Sequence, residues 1–331
     1  PSLRMDESHT DGDCFLCSFA LWGLGIAFGL FLLRKYIKGG QFTERVSAKG
    51  KIAVVTGANT GLGLETVREL NLRGAKVYML CRNEDKANEA RIKLVKKGCD
   101  STRLIFVQCD LSKFASVRAA ADRLKREEDH IDVLINNAGI MFYPKFELTE
   151  DGHETTWQSN HLGPFLLTEL LLPLVEKAAA GRIVNVSSML HERSPPLDLD
   201  TIDDKKAYGF VAPYNRTKLA NVMHARELSR RLRSKGNTAV TVNSLHPGAC
   251  STDLSRHLLL GREPFKTMSA FFLKTEKDGA QTSLFLALSQ KVNGVSGCYF
   301  ADCARRSESS VALDDLACKQ LYDYSIKAVG L

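Results

Sequence analysis

Tyr214 and Lys218 stand four residues apart in a segment of helical pattern, so both side chains fall on one face. Of the eight tyrosines, Tyr214 alone has a lysine four positions on. A free phenol has a pKa of about 10, too high for easy proton exchange near neutrality. A neighbouring ammonium favours the phenolate and lowers that value, as would the positive charge of an oxidised nicotinamide. Such a phenol can give a proton to a carbonyl oxygen or take one from an alcohol. Ser187 and Ser188 end the apolar run Ile183-Val184-Asn185-Val186. A hydroxyl there can hydrogen-bond the reacting oxygen as charge develops on it. Ser188, the later of the two, is the candidate for catalysis and substrate contact. Asn160 falls inside a long helical pattern, where an amide is a mediocre helix former. It reads as holding a kink and a water that links Lys218 to solvent. A strand-end cap at Ser188 and a solvent-facing amide at Asn160 are the plainer alternatives.

A second constellation is the turn Thr56-Gly57-Ala58-Asn59-Thr60-Gly61-Leu62-Gly63, set between the apolar run Ile52-Ala53-Val54-Val55 and a helical segment from Leu64 to Leu72. Glycine lets the backbone turn tightly and approach a pyrophosphate, and a helix N-terminus offers N–H groups and partial positive charge. The next apolar run, Lys76 to Cys81, ends in Arg82-Asn83. An acidic residue at that tip would accept from a ribose 2′-hydroxyl and repel a 2′-phosphate. Neutral Cys81 followed by a cation favours NADP(H) over NAD(H). The third run ends in Cys109-Asp110-Leu111, where the aspartate can accept from an adenine amino group or cap the following helix. Asn136-Asn137-Ala138-Gly139 ends the fourth, with small residues that let the backbone come near a cofactor.

The elements that must position these residues alternate. Strands are expected at 51–56, 75–81, 103–108, 131–135, 181–187, 238–245 and 297–300, with helices near 61–73, 84–97, 112–128, 154–178, 213–236 and 277–289. Apolar strands separated by amphipathic helices indicate an α/β fold, a doubly wound parallel sheet of about seven strands covered on both faces. Ligands of such sheets bind at the carboxyl ends of the strands. The chain has 331 residues, 44% of them hydrophobic and 25% charged, enough for one sizeable core. Its formal charge of +7 comes without a basic patch interleaved with aromatics, which argues against nucleic acid as a partner. Nine sparsely spaced cysteines fit reduced thiols rather than a disulfide framework, and no metal site is expected.

Residues 14–33 carry no formal charge and, as a helix, would span about 30 Å, the thickness of a bilayer core. Arg34, Lys35 and Lys38 follow, and Asp6, Glu7, Asp11 and Asp13 precede. The positive-inside rule then puts the bulk of the chain in the cytosol. The expected organisation is a short luminal N-terminus at 1–13, a transmembrane anchor at 14–33, a basic juxtamembrane linker at 34–50, an oxidoreductase domain at 51–305 and a capping helix at 306–331. Gly25 and Gly29 form a small-residue step through which a homodimer could pair.

The motifs T-G-A-N-T-G-L-G at 56–63, N-N-A-G at 136–139, N-H-L-G at 160–163, N-V-S-S at 185–188, Y-N-R-T-K at 214–218 and H-P-G at 246–248 follow in one order. In this the chain resembles the short-chain dehydrogenase/reductase family over about 45 to 305. C-R-N at 81–83, S-N-H-L-G-P-F-L-L-T at 159–168, K-L-A-N-V at 218–222, G-A-Q-T-S at 279–283 and G-C-Y-F at 297–300 make it similar to the membrane-anchored, retinol-dehydrogenase-like subgroup. The resemblance implies a catalytic set of Asn160, Ser188, Tyr214 and Lys218. It implies cofactor contacts along Gly57, Asn59, Thr60, Gly61, Leu62, Gly63, Arg82, Asn83, Asp110, Leu111, Asn137, Ala138 and Gly139. It adds Lys218 at the nicotinamide ribose, with Tyr214, Pro247 and Gly248 beside the ring. It further implies NADP(H)-dependent hydride transfer on a lipophilic substrate, retinal or retinol first and a steroid or fatty aldehyde second, at the endoplasmic reticulum membrane. A catalytically inactive, NADP-binding membrane scaffold is the alternative outside catalysis. The chain departs from many NADP-using relatives in lacking a basic residue in the glycine turn, which leaves Arg82 to meet the phosphate. Residues 249–276, with Leu254, Phe265, Met268 and Phe271, read as an apolar lid or as a helix packed on the core. His153 and His246 read as structural.

Overall fold

Alternating burial in the first strand sets the architecture. Ile52 and Val54 of β1 (Ile52–Thr56) enter one core layer, and Ala53 and Val55 enter the other. A strand apolar on both faces belongs in the middle of a sheet with helices above and below. The computed structural model describes residues 11–250 and 273–331, without the side chains of 11–20 and of 207. The sheet runs β3-β2-β1-β4-β5-β6-β7-β8, with β2 Lys76–Cys81, β3 Leu104–Gln108, β4 Val133–Asn136, β5 Arg182–Val186, β6 Thr241–His246, β7 Tyr299–Ala301 and β8 Ala304–Arg306. All neighbours are parallel except β7 and β8. Strand order reverses between β1 and β4, which opens a crevice at their carboxyl ends.

The eighth strand corrects the expected seven. Asp302 and Cys303 take φ of 54° and 56° and join β7 to β8 as a two-residue turn. That is the positive-φ geometry a tight hairpin needs, reached here without glycine.

In chain order the helices are α1 Asp11–Lys38, α2 Gly61–Leu72, α3 Glu84–Lys96, α4 Phe114–Glu127, α5 Thr155–Trp157, α6 Gly163–Glu176, α7 Ala212–Ser234, α8 Glu276–Gly279, α9 Gln281–Leu288 and α10 Asp315–Ala328. Helices α2, α3 and α9 cover one face of the sheet, and α4, α6, α7 and α10 the other. The expected helix over 154–178 is not uniform. Between α5 and α6, Gln158–Leu162 winds as a π turn, with Asn160 inside it. Single π turns of this kind interrupt α-helices mostly at functional sites.

The chain divides into one unit ending at Gly39 and a second, Gly40–Leu331. Residues 40–50, expected as part of a linker, pack into the second unit. Phe42 is buried, its ring lies edge-on to Phe285 at 6.3 Å, and the Arg73 guanidinium sits 4.9 Å above it. Burying that ring contributes about 2–3 kcal/mol. Glu44 accepts from the Ser289 hydroxyl at 2.6 Å. At the other end α10 packs on α7 of the same chain, with Arg231 stacked 3.9 Å over Tyr322.

In the first unit, α1 leaves its apolar side chains bare: Leu21, Trp22, Leu24, Ile26, Phe28 and Phe31 are each more than 60% exposed. The transmembrane span expected over 14–33 falls only partly within the residues whose side chains are described. Among the described residues no helix is long and apolar enough to cross a membrane. Side chains 14–20 of the expected span lie outside the described residues.

Candidate active site

The crevice begins at Thr56, the last residue of β1. Its hydroxyl accepts from the N–H groups of Asn137 and Ala138, each at 3.0 Å, and so ties the turn after β1 to the turn after β4. The Asn137 amide donates to the Thr56 carbonyl at 2.9 Å and, at 3.4 Å, to that of Gly57. One strand further, the Asn136 amide donates to Asn185 of β5 and to Thr168 of α6, both at 2.9 Å.

Steric limits fix the glycines. Gly57 and Gly61 have φ of 64° and 56°, a region closed to most side chains. A Cβ on Gly63 would lie 2.2 Å from the Gly57 carbonyl oxygen and 2.6 Å from the Asn137 amide. The first turn of α2 is thus drawn onto the loop, and Thr60 places no side-chain cap over its N–H groups. This cradle fits a pyrophosphate, because the N–H groups and the helix dipole converge on the carboxyl end of the sheet.

The expected cofactor residues do not all behave alike. Cys81 ends β2 as a buried thiol; burial pushes it up to about 12, against hydrogen bonds from the Ala58 and Asn59 backbone of the glycine turn. The tip of β2 therefore carries a neutral group, and Arg82 beside it is exposed. Asn83 accepts from the Lys86 N–H at 2.8 Å and caps α3, and it too is exposed. Asp110 folds onto Ser112, accepting from its N–H at 3.1 Å and its hydroxyl at 2.7 Å. The carbonyl oxygen of Leu111 would sit 2.3 Å from a Cβ on Gly163, so these two backbones touch. Pro247 is buried after β6, and Gly248, at φ 93°, lies against the Lys274 side chain.

On the other side of the crevice the four proposed catalytic residues come together. Tyr214 and Lys218 rise from the first and second turns of α7 and are 4% and 3% exposed. Ser188 hydrogen-bonds the Tyr214 phenol, whereas Ser187 turns inward and donates to the Lys218 carbonyl at 2.6 Å. The Lys218 ammonium donates to the Val186 carbonyl at 2.9 Å. A Cβ on Gly139 would stand 3.3 Å from the Asn160 amide oxygen and 3.6 Å from Lys218 Nζ, so the π turn and α7 meet over Gly139. Asn160 clasps the loop after β4. Its oxygen accepts from the Ile140 N–H and its nitrogen donates to the Ile140 carbonyl, both at 2.8 Å, with a further bond to Thr217 at 3.2 Å.

Burial acts against the expected acidification of the phenol. Burial pushes the Tyr214 phenol up, and the bond to Ser188 only partly offsets it. The Lys218 ammonium lies 5.3 Å over the phenol ring and is held by a carbonyl, and burial pushes Lys218 itself down to about 8. Burial also pushes His246 down to about 4, and His153 bonds Asp203 at 2.8 Å.

Sequence reasoning passed over Thr56 as a working residue, although a hydroxyl closing the strand before the glycines was the available signal. It also passed over Phe142 and Phe210, which stack on each other beside Tyr214. Of the expected lid at 249–276, residues 251–272 lie outside the described residues.

A reversed strand order with a glycine cradle at the switch point and a tyrosine–lysine helix across from it defines a nicotinamide-dependent oxidoreductase of the doubly wound type. The short chain dehydrogenase family matches residues 51–262, and the chain belongs to that family. It is 43% identical to retinol dehydrogenase 14 of Mus musculus over 294 residues, covering 85% of this chain and 86% of that one. To retinol dehydrogenase 11 of Homo sapiens it is 40% identical over 299 residues, covering 90% and 92%. Among solved structures, an uncharacterised protein of Mycobacterium paratuberculosis superposes with a TM-score of 0.71 at 29% identity, covering 88% of this chain and 98% of that one. A blue fluorescent protein from a metagenomic library, in complex with NADPH, gives a TM-score of 0.60 at 28% identity, covering 77% and 97%.

Proposed function

We propose that this protein is an NADP(H)-dependent reductase of lipophilic carbonyl compounds, with retinal-like aldehydes as the first substrate class. The observation that carries the reading is the buried Tyr214 phenol, bonded to Ser188 and lying beside the Lys218 ammonium at the carboxyl edge of the sheet. When bound, the nicotinamide supplies the hydride; the residues of this chain handle the proton and the developing charge. Tyr214, kept protonated by burial, gives its proton to the carbonyl oxygen. Ser188 holds that oxygen by a hydrogen bond. Lys218 sets the charge beneath the phenol and binds the nicotinamide ribose, and Asn160 fixes the loop that faces both. Gly57, Gly61 and Gly63 cradle the pyrophosphate, and Asn137, Ala138 and Gly139 line the approach. Arg82, exposed next to neutral Cys81, meets the 2′-phosphate, a preference that the NADPH complex among the structural relatives supports.

The substrate class draws on the retinol dehydrogenases above and on the apolar rings at the mouth of the site. The bare apolar side chains of α1, followed by Arg34, Lys35 and Lys38, support attachment to a membrane of the endoplasmic reticulum with the catalytic unit on the cytosolic side. Flotation of the full chain with phospholipid vesicles tests the attachment. Leu24→Asp with Phe28→Asp should leave the protein at the bottom of the gradient, and co-flotation of that variant would refute it.

Tyr214→Phe tests the chemistry. Turnover of retinal with NADPH should fall about 10²- to 10⁴-fold, with NADPH affinity, read by its fluorescence, within about threefold of wild type. Activity retained in that variant would overturn the assignment.

A further inference from the structure

Rings gather at the mouth of the site in a way that core packing does not require. Phe142 and Phe210 stack with centroids 5.2 Å apart and planes 15° from parallel, and Phe142 lies 6.0 Å from the Tyr214 ring. Phe210 nonetheless stays 49% exposed, and Met189 beside Ser188 stays 52% exposed. Phe142 also holds a φ of 54°. Bulky residues seldom adopt that conformation, and where they do the strain tends to mark a ligand site.

The surrounding chain maintains this arrangement from both sides. Asn160 grips both backbone polar groups of Ile140, two residues before Phe142. The Tyr208 hydroxyl bonds the carbonyls of Tyr143 and Lys145, the latter at 2.9 Å, and so ties the loop carrying Phe142 to the segment carrying Phe210. Two separate clamps thus hold a partly buried ring, Phe142, against a half-exposed one, Phe210, next to the residue proposed to protonate the substrate.

We propose that the Phe142–Phe210 stack is a substrate shelf that selects carbonyl compounds whose C=O continues into a planar, conjugated chain over saturated chains of the same length. The inference rests on the reductase reading and deepens it. A flat π system can lie offset on the ring face or edge-on to it and gain the quadrupole contact that aromatic pairs share, whereas a saturated chain gains only buried area. Because Phe142 touches both the shelf and Tyr214, a chain seated on the rings brings its carbonyl carbon toward the phenol.

The test compares sorbaldehyde with hexanal, a conjugated and a saturated aldehyde of equal length, by NADPH oxidation with the full-length protein. The quantity read is the ratio of their kcat/KM values. Phe210→Leu keeps bulk and hydrophobicity but removes the ring, and should lower the conjugated-over-saturated ratio about three- to tenfold. Phe142→Tyr keeps the ring and should keep the ratio. A ratio unchanged in Phe210→Leu overturns the shelf, and so does an equal loss in Phe142→Tyr. Thermal melts establish that both variants fold. Failure of the wild type to reduce either aldehyde would count against the reductase reading alone. Calorimetric binding of the two aldehydes then decides the shelf, with the same change of ratio expected and an unchanged ratio overturning it.

Discussion

Around Thr56 the chain has no slack: one hydroxyl receives two N–H groups at 3.0 Å, and Gly63 sits where a single carbon atom would overlap a carbonyl oxygen. Around Phe210 the opposite holds, with its ring and Met189 standing about half in solvent. The cofactor side is specified by what cannot fit, and the carbonyl side by surface left open for a ligand. Rigid, mutually bonded groups suit a part of the site that meets the same molecule in every turnover. Adaptable apolar surface suits the part that tells substrates apart. Changes at the first region should therefore act steeply and changes at the second by degrees.

Several substitutions would break or sharpen that contrast. The steepest loss is expected from Gly63→Ala, whose added methyl must displace backbone: stability should drop by about 1–3 kcal/mol in urea titration, and NADPH binding should disappear. Tight binding retained in that variant would mean the turn has room after all. Thr56→Val removes the acceptor shared by Asn137 and Ala138 while keeping shape. The Asn137 N–H keeps the Ile135 carbonyl at 3.0 Å, so one partly buried N–H, that of Ala138, loses its partner, which should cost about 1–2 kcal/mol, with Thr56→Ser restoring most of it. A Thr56→Ser variant as unstable as Thr56→Val would assign the effect to the methyl group instead. Arg82→Ala should raise the KM for NADPH about tenfold, the size of one lost bond to a charged phosphate, and leave the KM for NADH within twofold. Equal changes for both cofactors would place the arginine away from the 2′-position.

The gentlest effect follows from Lys218, which burial pushes down to about 8 from an ordinary value of about 10.4. The folded protein then holds this proton less firmly than the unfolded chain. Between about pH 8 and 10.4 the unfolded chain carries more of it, so this group's contribution to stability rises with pH across that window. Activity should run the other way. Carbonyl reduction uses the ammonium, so kcat/KM should decline above about pH 8 while Tyr214, pushed up, stays protonated. A flat profile from pH 7 to about 10 would show that the lysine charge is not used.

Much of this was legible in the sequence, for physical reasons. Strands buried on both faces leave unbroken apolar runs such as Ile52 to Val55, and the helices between them carry one apolar stripe, so the doubly wound order can be read directly. The glycine turn is legible because nothing larger fits at Gly57 and Gly63. What stayed hidden depends on partners distant in sequence. The hairpin at Asp302-Cys303 has positive φ without a glycine to announce it. The raised phenol of Tyr214 comes from burial, which a four-residue spacing cannot reveal. The Phe142–Phe210 stack joins residues of two loops that only the fold brings together.

The π turn at Gln158–Leu162 carries a consequence for how this chain can change. It amounts to one residue wound into a helix in surplus, so α6 beyond it is rotated by about 100° relative to α5. Deleting a single residue here would heal the helix into a more regular one and, in the same stroke, swing the Asn160 carboxamide off Ile140. Repairing the local irregularity would dismantle the active-site loop. Length variation across these five positions should therefore be far less tolerated than any single replacement within them.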